Sequence, residues 1–391
     1  MSTRVLTFAC LILAALNLRM ALGSLSVTLP EIILETGISG TQVSLLTAVP
    51  LFCLGLMGFA APPLAARIGI RRAIVVTLVV LVAATALRGL EPFAALLAGA
   101  MGTGACCGLI GVLIPTLIKR DFAAQIKLMT GVATMCISGG AAISAAVMPP
   151  LTRALNDDWR LALAFWAVFA LLTAMTWLPL ITQRIGVGET RLRPVAGVLR
   201  HRTAWLLTAY MALQSGMAYM IFAWFAPLMR DRDVSPAQSG LILAAIALVQ
   251  VISIPATPYI LAHARRPGLI AAAPIALMMI GSAGCAFAPL ALLWPSAIVL
   301  GIGQGMAFAV ALTLIVLRSE NEHVTAAVSA VAQAVGYMLA AILPLAGGVA
   351  RDLAGDWSAT EMIYAVAGVA GIWVGLVTGG SRVVAARFKA P

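Results

Sequence analysis

Twelve predominantly apolar stretches follow one another along this 391-residue chain, and nothing else in it constrains the fold as strongly. They occupy residues 5–29, 41–66, 73–90, 93–118, 128–150, 160–181, 203–229, 236–261, 269–288, 292–317, 324–350 and 360–380, with charged or Pro/Gly clusters between them. A hydrocarbon core about 30 Å thick is crossed by roughly 20 helical residues, so each stretch is long enough for one crossing. Hydrophobic residues make up 62% of the chain and charged residues 10%. A soluble domain carries about a quarter charged residues. Soluble enzymes, nucleic-acid binders and disordered scaffolds are excluded by that shortage of polar surface. The predicted fold class is all-α, an integral membrane protein of twelve transmembrane helices.

The charges sort by side. Cytoplasmic loops of polytopic proteins are enriched in Lys and Arg. With the N-terminus placed inside, eighteen of the 25 basic residues fall on the cytoplasmic side, and ten of the 14 acids fall on the other. A missed crossing would break that alternation, so both termini are expected in the cytoplasm. The net charge of +11 is therefore a topology signal and gives no reason to expect nucleic acid. The first stretch lacks a small-residue cleavage site and reads as a retained span. Cys10, Cys53, Cys106, Cys107, Cys136 and Cys285 all lie in apolar stretches with no metal-site spacing and are expected to act as small hydrophobes. Neither a metal nor a cofactor is expected.

The longest interior connection follows the sixth stretch and holds five arginines, Gly186, Gly188 and Pro194. It suggests a six-span unit at 1–182, a basic cytoplasmic linker at 183–202 and a second six-span unit at 203–391. Internal similarity supports the division. Arg67-Ile68-Gly69-Ile70-Arg71-Arg72 has a basic counterpart in Arg265-Arg266, Gly102-Thr103-Gly104 in Gly303-Gln304-Gly305, and Pro149 in Pro344. Parallel halves related in this way form a known transporter plan, here two pseudo-symmetric six-helix bundles. The glycines of stretches four and ten let helices approach closely. Gly102-Thr103-Gly104 follows no strand and does not read as a phosphate loop.

These features resemble the major facilitator superfamily. Its loop signature, Gly-x-Leu-Ala-Asp-Arg-x-Gly-Arg-Arg, stands here as Pro62-Pro63-Leu64-Ala65-Ala66-Arg67-Ile68-Gly69-Ile70-Arg71. Ala66 replaces the acidic residue of the usual gate interaction. Asn17-Leu18-Arg19, Leu45-Leu46-Thr47-Ala48-Val49-Pro50, the run from Leu113 to Phe122, Ala223-Trp224-Phe225-Ala226-Pro227 and Gln333-Ala334-Val335-Gly336-Tyr337 are similar to the cyanate/2-nitroimidazole transporter branch. The resemblance implies alternating access in a bacterial inner membrane and a small anionic or neutral nitrogen compound as substrate. In the superfamily plan, spans one, four, seven and ten line the cavity, helped by two, five, eight and eleven.

A charge deep in a span costs about 2.5–3.5 kcal/mol on insertion scales and is a functional candidate by default. Arg19 is the clear case, and no Asp or Glu shares its depth. His201, His263 and His323 lie in or beside loops, and every acid lies in a loop or at a span end, with Glu31 the nearest to an exception. Proton relays are normally built from embedded Asp, Glu or His, so facilitated diffusion or anion exchange is expected here. Gln214, Gln250, Gln304 and Gln333 lie about 10–14 residues into their spans, near the midplane by helical rise. Tyr337 follows Gln333 by one turn, Tyr219 and Trp224 follow Gln214, and Asn17 precedes Arg19. Amides and phenols can donate to an anion without adding charge. The expected site is Arg19 with Asn17, Gln214, Tyr219, Trp224, Gln250, Gln304, Gln333 and Tyr337. Arg67, Gly69, Arg71 and Arg72 serve topology and the gate. The leading expectation is a monomeric carrier of a small monovalent, cyanate-like anion. The alternative is an exporter of 2-nitroimidazole-like aromatics. A membrane-embedded receptor or enzyme is the rival of another class, and no nucleophile with a base stands in the spans to support it.

Overall fold

In lipid, backbone donors and acceptors have to be satisfied inside the segment that carries them, which leaves an open chain only the helix. The computed structural model describes residues 3–181, 195–320, 322–380 and 383–384, and its apolar stretches are helical throughout. In order come α1 (Thr3–Thr36), α2 (Gly40–Gly58), α3 (Ala61–Ile68), α4 (Ile70–Leu87), α5 (Phe93–Asp121), α6 (Ile126–Ala154), α7 (Trp159–Ile181) and α8 (Arg202–Asp231). They are followed by α9 (Pro236–Ser253), α10 (Ala256–Ala262), α11 (Pro267–Phe287), α12 (Leu293–Leu317), α13 (Glu322–Ala340), α14 (Ile342–Ala354) and α15 (Ser358–Gly379). Among the described residues 12 spans are long and apolar enough to cross a membrane. The sole β feature among them is an isolated bridge between Ser319 and Val384. Residues 183–194 of the expected linker, with Arg184, Arg191 and Arg193, lie outside the described residues.

Spans two, eight and eleven are each split in two, and proline supplies the reason. It has no N–H to give and crowds the preceding turn. Pro62 and Pro63 open α3 after a tight turn in which Phe59 N–H donates to the Leu56 carbonyl at 3.2 Å. Pro255 separates α9 from α10, and Pro344 follows the break between α13 and α14 at Ala341. At the helix ends, Ser39 and Gln42 form a reciprocal cap on α2, and the Ser235 side chain caps α9. Gly69 joins α3 to α4 at φ +85°, a backbone state that side chains resist.

Within residues 3–181, α1 lies on α6, α2 on α5, and α4 on α5 and α7. Within 202–379, α11 lies on α12 and α15, α13 on α8, and α12 on α9. The two sets meet where α2 packs on α13 and α14, α6 on α9, and α1 on α8. Close approach depends on glycine. A Cβ on Gly104 or Gly108 of α5 would run into the backbone of Pro50 or Leu54 on α2. One on Gly305 of α12 would meet the Gln250 backbone on α9. The glycine-to-glycine correspondence in the sequence is thus two similar helix contacts.

An even number of spans brings the start of α1 and the end of α15 to one end of the bundle, the termini end. At the far end, side chains tie the two sets together. Arg230 of α8 pairs with Glu31 of α1. Asp352 of α14 accepts from the Gly40 and Thr41 amides at 2.8 and 2.7 Å. Ser44 donates to the Pro344 carbonyl at 3.3 Å. Asp231 of α8, on the exposed rim of that end, pairs with Arg351 of α14. Arg88, by contrast, is 1% exposed. It follows the last turn of α4, and its guanidinium lies against α1.

Candidate functional site

Arg19 stands at the middle of α1, about 24 Å from the helix start by its rise of 1.5 Å per residue. Residues 22, 23 and 26 follow it at three, four and seven positions, which puts all four on one face. That face, with parts of α2, α6 and α8, encloses the site. The cavity is lined by Arg19, Leu22, Gly23 and Ser26 of α1, Leu46, Thr47 and Pro50 of α2, Ala141 of α6, and Tyr219 and Phe222 of α8, among others. About 520 Å³ of space, part of it open to solvent, lies between these side chains. Spans one, two, five and seven form it. Of the principal helices that the superfamily plan implies, spans four and ten contribute none of these lining residues.

The electrostatics of this cavity are one-sided. The Arg19 guanidinium is half-buried and lies 5.1 Å from the centre of the Tyr219 ring and 6.0 Å from that of Phe222. A cation over aromatic faces gains about 0.5–2 kcal/mol. Among the described residues no carboxylate pairs with it and no hydrogen bond engages it. Tyr337 of α13 stands edge-on to Tyr219, with ring centres 6.3 Å apart. Neither phenol is engaged in a hydrogen bond among the described residues. Most of the wall is apolar, so water competes weakly for a solute bound beside the guanidinium.

The structure brings together Arg19, Tyr219 and Tyr337 from the expected set. It engages other members elsewhere. Asn17 is buried and donates to Thr173 Oγ1 of α7 at 2.8 Å and to the Leu13 carbonyl at 3.0 Å. Gln214 donates to Ser215 Oγ at 2.6 Å, and Gln333 to Ser329 Oγ at 2.7 Å. Trp224 donates to the Pro344 carbonyl at 3.1 Å and meets Trp357 edge-on. Gln250 is buried, its carbonyl against Gly305. Gln304 is 1% exposed, and both atoms of its amide lack a partner among the described residues. Sequence reasoning missed Leu22, Gly23 and Ser26, although the helical repeat from Arg19 would have found them. Thr47 and Pro50 lie in the Leu45–Pro50 motif and Phe222 follows Tyr219 by three residues, signals that were present but not used.

At the termini end, the signature loop works without its usual acid. Arg71 Nη2 donates to Asp121 Oδ2 of α5 at 3.0 Å, and Nη1 to the Leu180 carbonyl of α7 at 3.4 Å. Asp121, fifty residues downstream, thus supplies a carboxylate where Ala66 cannot. The pair joins α4, α5 and α7, all in the first six spans. Arg67 and Arg72 are exposed. Asp121→Ala removes this carboxylate from the largely buried Arg71 and is expected to destabilise the protein by about 3 kcal/mol. Arg67→Ala is expected to change stability by less than about 0.5 kcal/mol. Thermal unfolding in detergent, read on both variants, checks the contrast; equal midpoints would show that the ion pair contributes nothing.

Comparison with known proteins gives a consistent set of likenesses. The family described as Major Facilitator Superfamily matches residues 8–344. The 2-nitroimidazole transporter of Escherichia coli (strain K12) is 31% identical over 367 residues, covering 93% of this chain and 92% of its own. Cyanate transport protein CynX of the same organism is 29% identical over 351 residues, covering 89% and 90%. Among solved structures, a D-xylose–proton symporter superposes with a TM-score of 0.79 at 15% identity, covering 97% of this chain and 99% of that one. At that identity the likeness is one of fold.

Proposed function

Because the chain belongs to the major facilitator superfamily of transporters, we propose that its Arg19 cavity is the substrate site, and that the substrate is a small monovalent anion of the cyanate type. The observation that carries this reading is the half-buried Arg19 guanidinium, free of any carboxylate among the described residues and facing a largely apolar cavity. An arginine keeps its charge at any accessible pH, so the insertion cost is permanent unless a visiting negative charge offsets it. The Tyr219 and Tyr337 phenols supply uncharged donors, and the aromatic rings fix the guanidinium's position.

Transport proceeds by alternating access, with units at 1–182 and 203–391 rocking about the midplane site. The basic bias of the termini end supports a cytoplasmic position for that end in a bacterial inner membrane. In that orientation the Glu31–Arg230 pair and the Asp352 contacts with α2 close the outer side. They have to separate before the cavity can face outward. The protein acts as a monomer surrounded by lipid.

Aromatic contacts beside Arg19 favour one second reading, a flat nitroheterocycle stacked on Tyr219 with its nitro oxygens on the guanidinium. Competition in proteoliposomes separates the two. Under the first reading, cyanate slows uptake of a labelled small anion at concentrations where neutral 2-nitroimidazole does not. The reverse order assigns the site to nitroaromatics, and the absence of flux for either solute would remove the transport reading of this cavity.

A further inference from the structure

A second arginine, on the other side of the same helix turn, has no place in the site described so far. Arg88 follows α4 and is 1% exposed, among the largest fully buried side chains of the protein. Its Nη2 donates to Ser24 Oγ at 3.0 Å, and its Nη1 donates to the Ala21 carbonyl. Its Nε is buried without a partner. As at Arg19, no carboxylate pairs with it among the described residues. Burial of an ion is expensive unless an opposite charge accompanies it, and a hydroxyl and a carbonyl carry only partial charge.

Helical geometry places this cation relative to the cavity. At 100° per residue, Arg19, Leu22, Gly23 and Ser26 point one way from α1, while Ala21 and Ser24 point the other. Leu22, Gly23 and Ser26 line the cavity; Ala21 and Ser24 hold Arg88. One helix diameter, about 10 Å, therefore separates the buried guanidinium from the space in front of Arg19. That intervening medium is protein, where charges are screened far less than in water.

We propose that Arg88 is a positioning residue of the anion site, its unpaired charge acting through the backbone of α1 to bias the cavity toward anions while its two donors hold the Ala21–Ser24 turn in place. The inference rests on the reading of the Arg19 cavity as an anion site. Two unit charges about 10 Å apart at an effective permittivity of about 20 alter a binding constant roughly tenfold, and that is the size of the expected effect. It falls on anions and spares neutral solutes of similar shape, which a purely structural role would not do.

The test changes Arg88's charge balance without touching the cavity. Ser24→Asp places a carboxylate where a hydroxyl already meets Nη2, and Ser24→Asn is its neutral control. Cyanate and neutral 2-nitroimidazole binding are measured on purified full-length protein by calorimetry. Ser24→Asp is expected to weaken cyanate about tenfold while leaving the neutral solute and the Ser24→Asn protein near wild type. Arg88→Gln is expected to repeat that loss, and Arg88→Lys to recover most of it. If Arg88→Gln yields no folded protein, the Ser24 pair decides alone. Unchanged cyanate affinity in Ser24→Asp, or an equal loss for both solutes, overturns the proposal. Arg19→Ala is run beside them. Intact cyanate binding there removes the anion-site reading itself, whereas loss there with no change in Ser24→Asp removes only the role of Arg88.

Discussion

Replacing Arg19 with alanine is expected to weaken binding of a small anion by a hundredfold or more, while raising the stability of the empty protein. The first effect follows from removing one member of a charge pair that forms away from bulk water, a loss of about 3 kcal/mol. The second follows from comparing two magnitudes. An arginine deep in a span costs about 2.5–3.5 kcal/mol on insertion scales. Its contacts with the Tyr219 and Phe222 rings return about 0.5–2 kcal/mol. The cost is the larger, so Arg19→Ala should gain about 1 kcal/mol without substrate. Arg19→Lys keeps the charge but loses the planar fork, and about a tenfold loss of affinity is expected. Thermal-shift measurements with and without anion read both effects. A variant that binds as well as wild type, or melts several degrees lower when empty, would show that Arg19 serves the fold.

The second large effect is expected at Gly104. Its missing Cβ lets α5 lie against the Pro50 backbone of α2, and Pro50 is part of the cavity wall. Gly104→Val forces the two helices apart, at a cost of about 3 kcal/mol for overpacking a close contact. Binding should fall with stability, because the wall moves with α2. Gly111→Ala, seven residues along the same helix, is the control. A Cβ there meets only the Leu18 side chain, at 3.8 Å, and the substitution also raises helix propensity by up to about 1 kcal/mol. Chromatographic monodispersity and melting midpoint distinguish the two. Equal behaviour of both variants would mean that the close α2–α5 approach is not needed.

Legibility in the sequence divides along a physical line. Span number was readable because one property, the length of an apolar run, decides whether a helix can cross a bilayer. Arg19 was readable for a related reason: a permanent charge in the middle of such a run has no ordinary explanation. The amides were not. A glutamine at midplane depth can face a cavity, a neighbouring helix or its own helix, and these differ only by rotation about the axis. Asn17 sits two residues from Arg19 and thus faces away from it, where Thr173 takes its hydrogen bond. Trp224, five residues beyond Tyr219 and so turned well away from its face, donates to the Pro344 carbonyl of α14. The burial of Arg88 was not legible, because a residue at the end of a span reads as loop from either side. Only the packing of α4 on α5, close to α1, shows its side chain enclosed.

The sequence alone determined the helical class, the twelve crossings, the charge asymmetry between the two ends and the one cation stranded at mid-depth, since each depends on where a residue lies along a single helix. Tertiary structure decided which residues share a cavity with that cation, where Arg71 finds its carboxylate, which end of the bundle is bridged by contacts between the two sets and that a second guanidinium lies behind α1. Those outcomes depend on how helices are rotated and paired with partners tens to hundreds of residues away. In a chain this rich in small apolar residues, many faces of a helix look alike until a neighbour selects one.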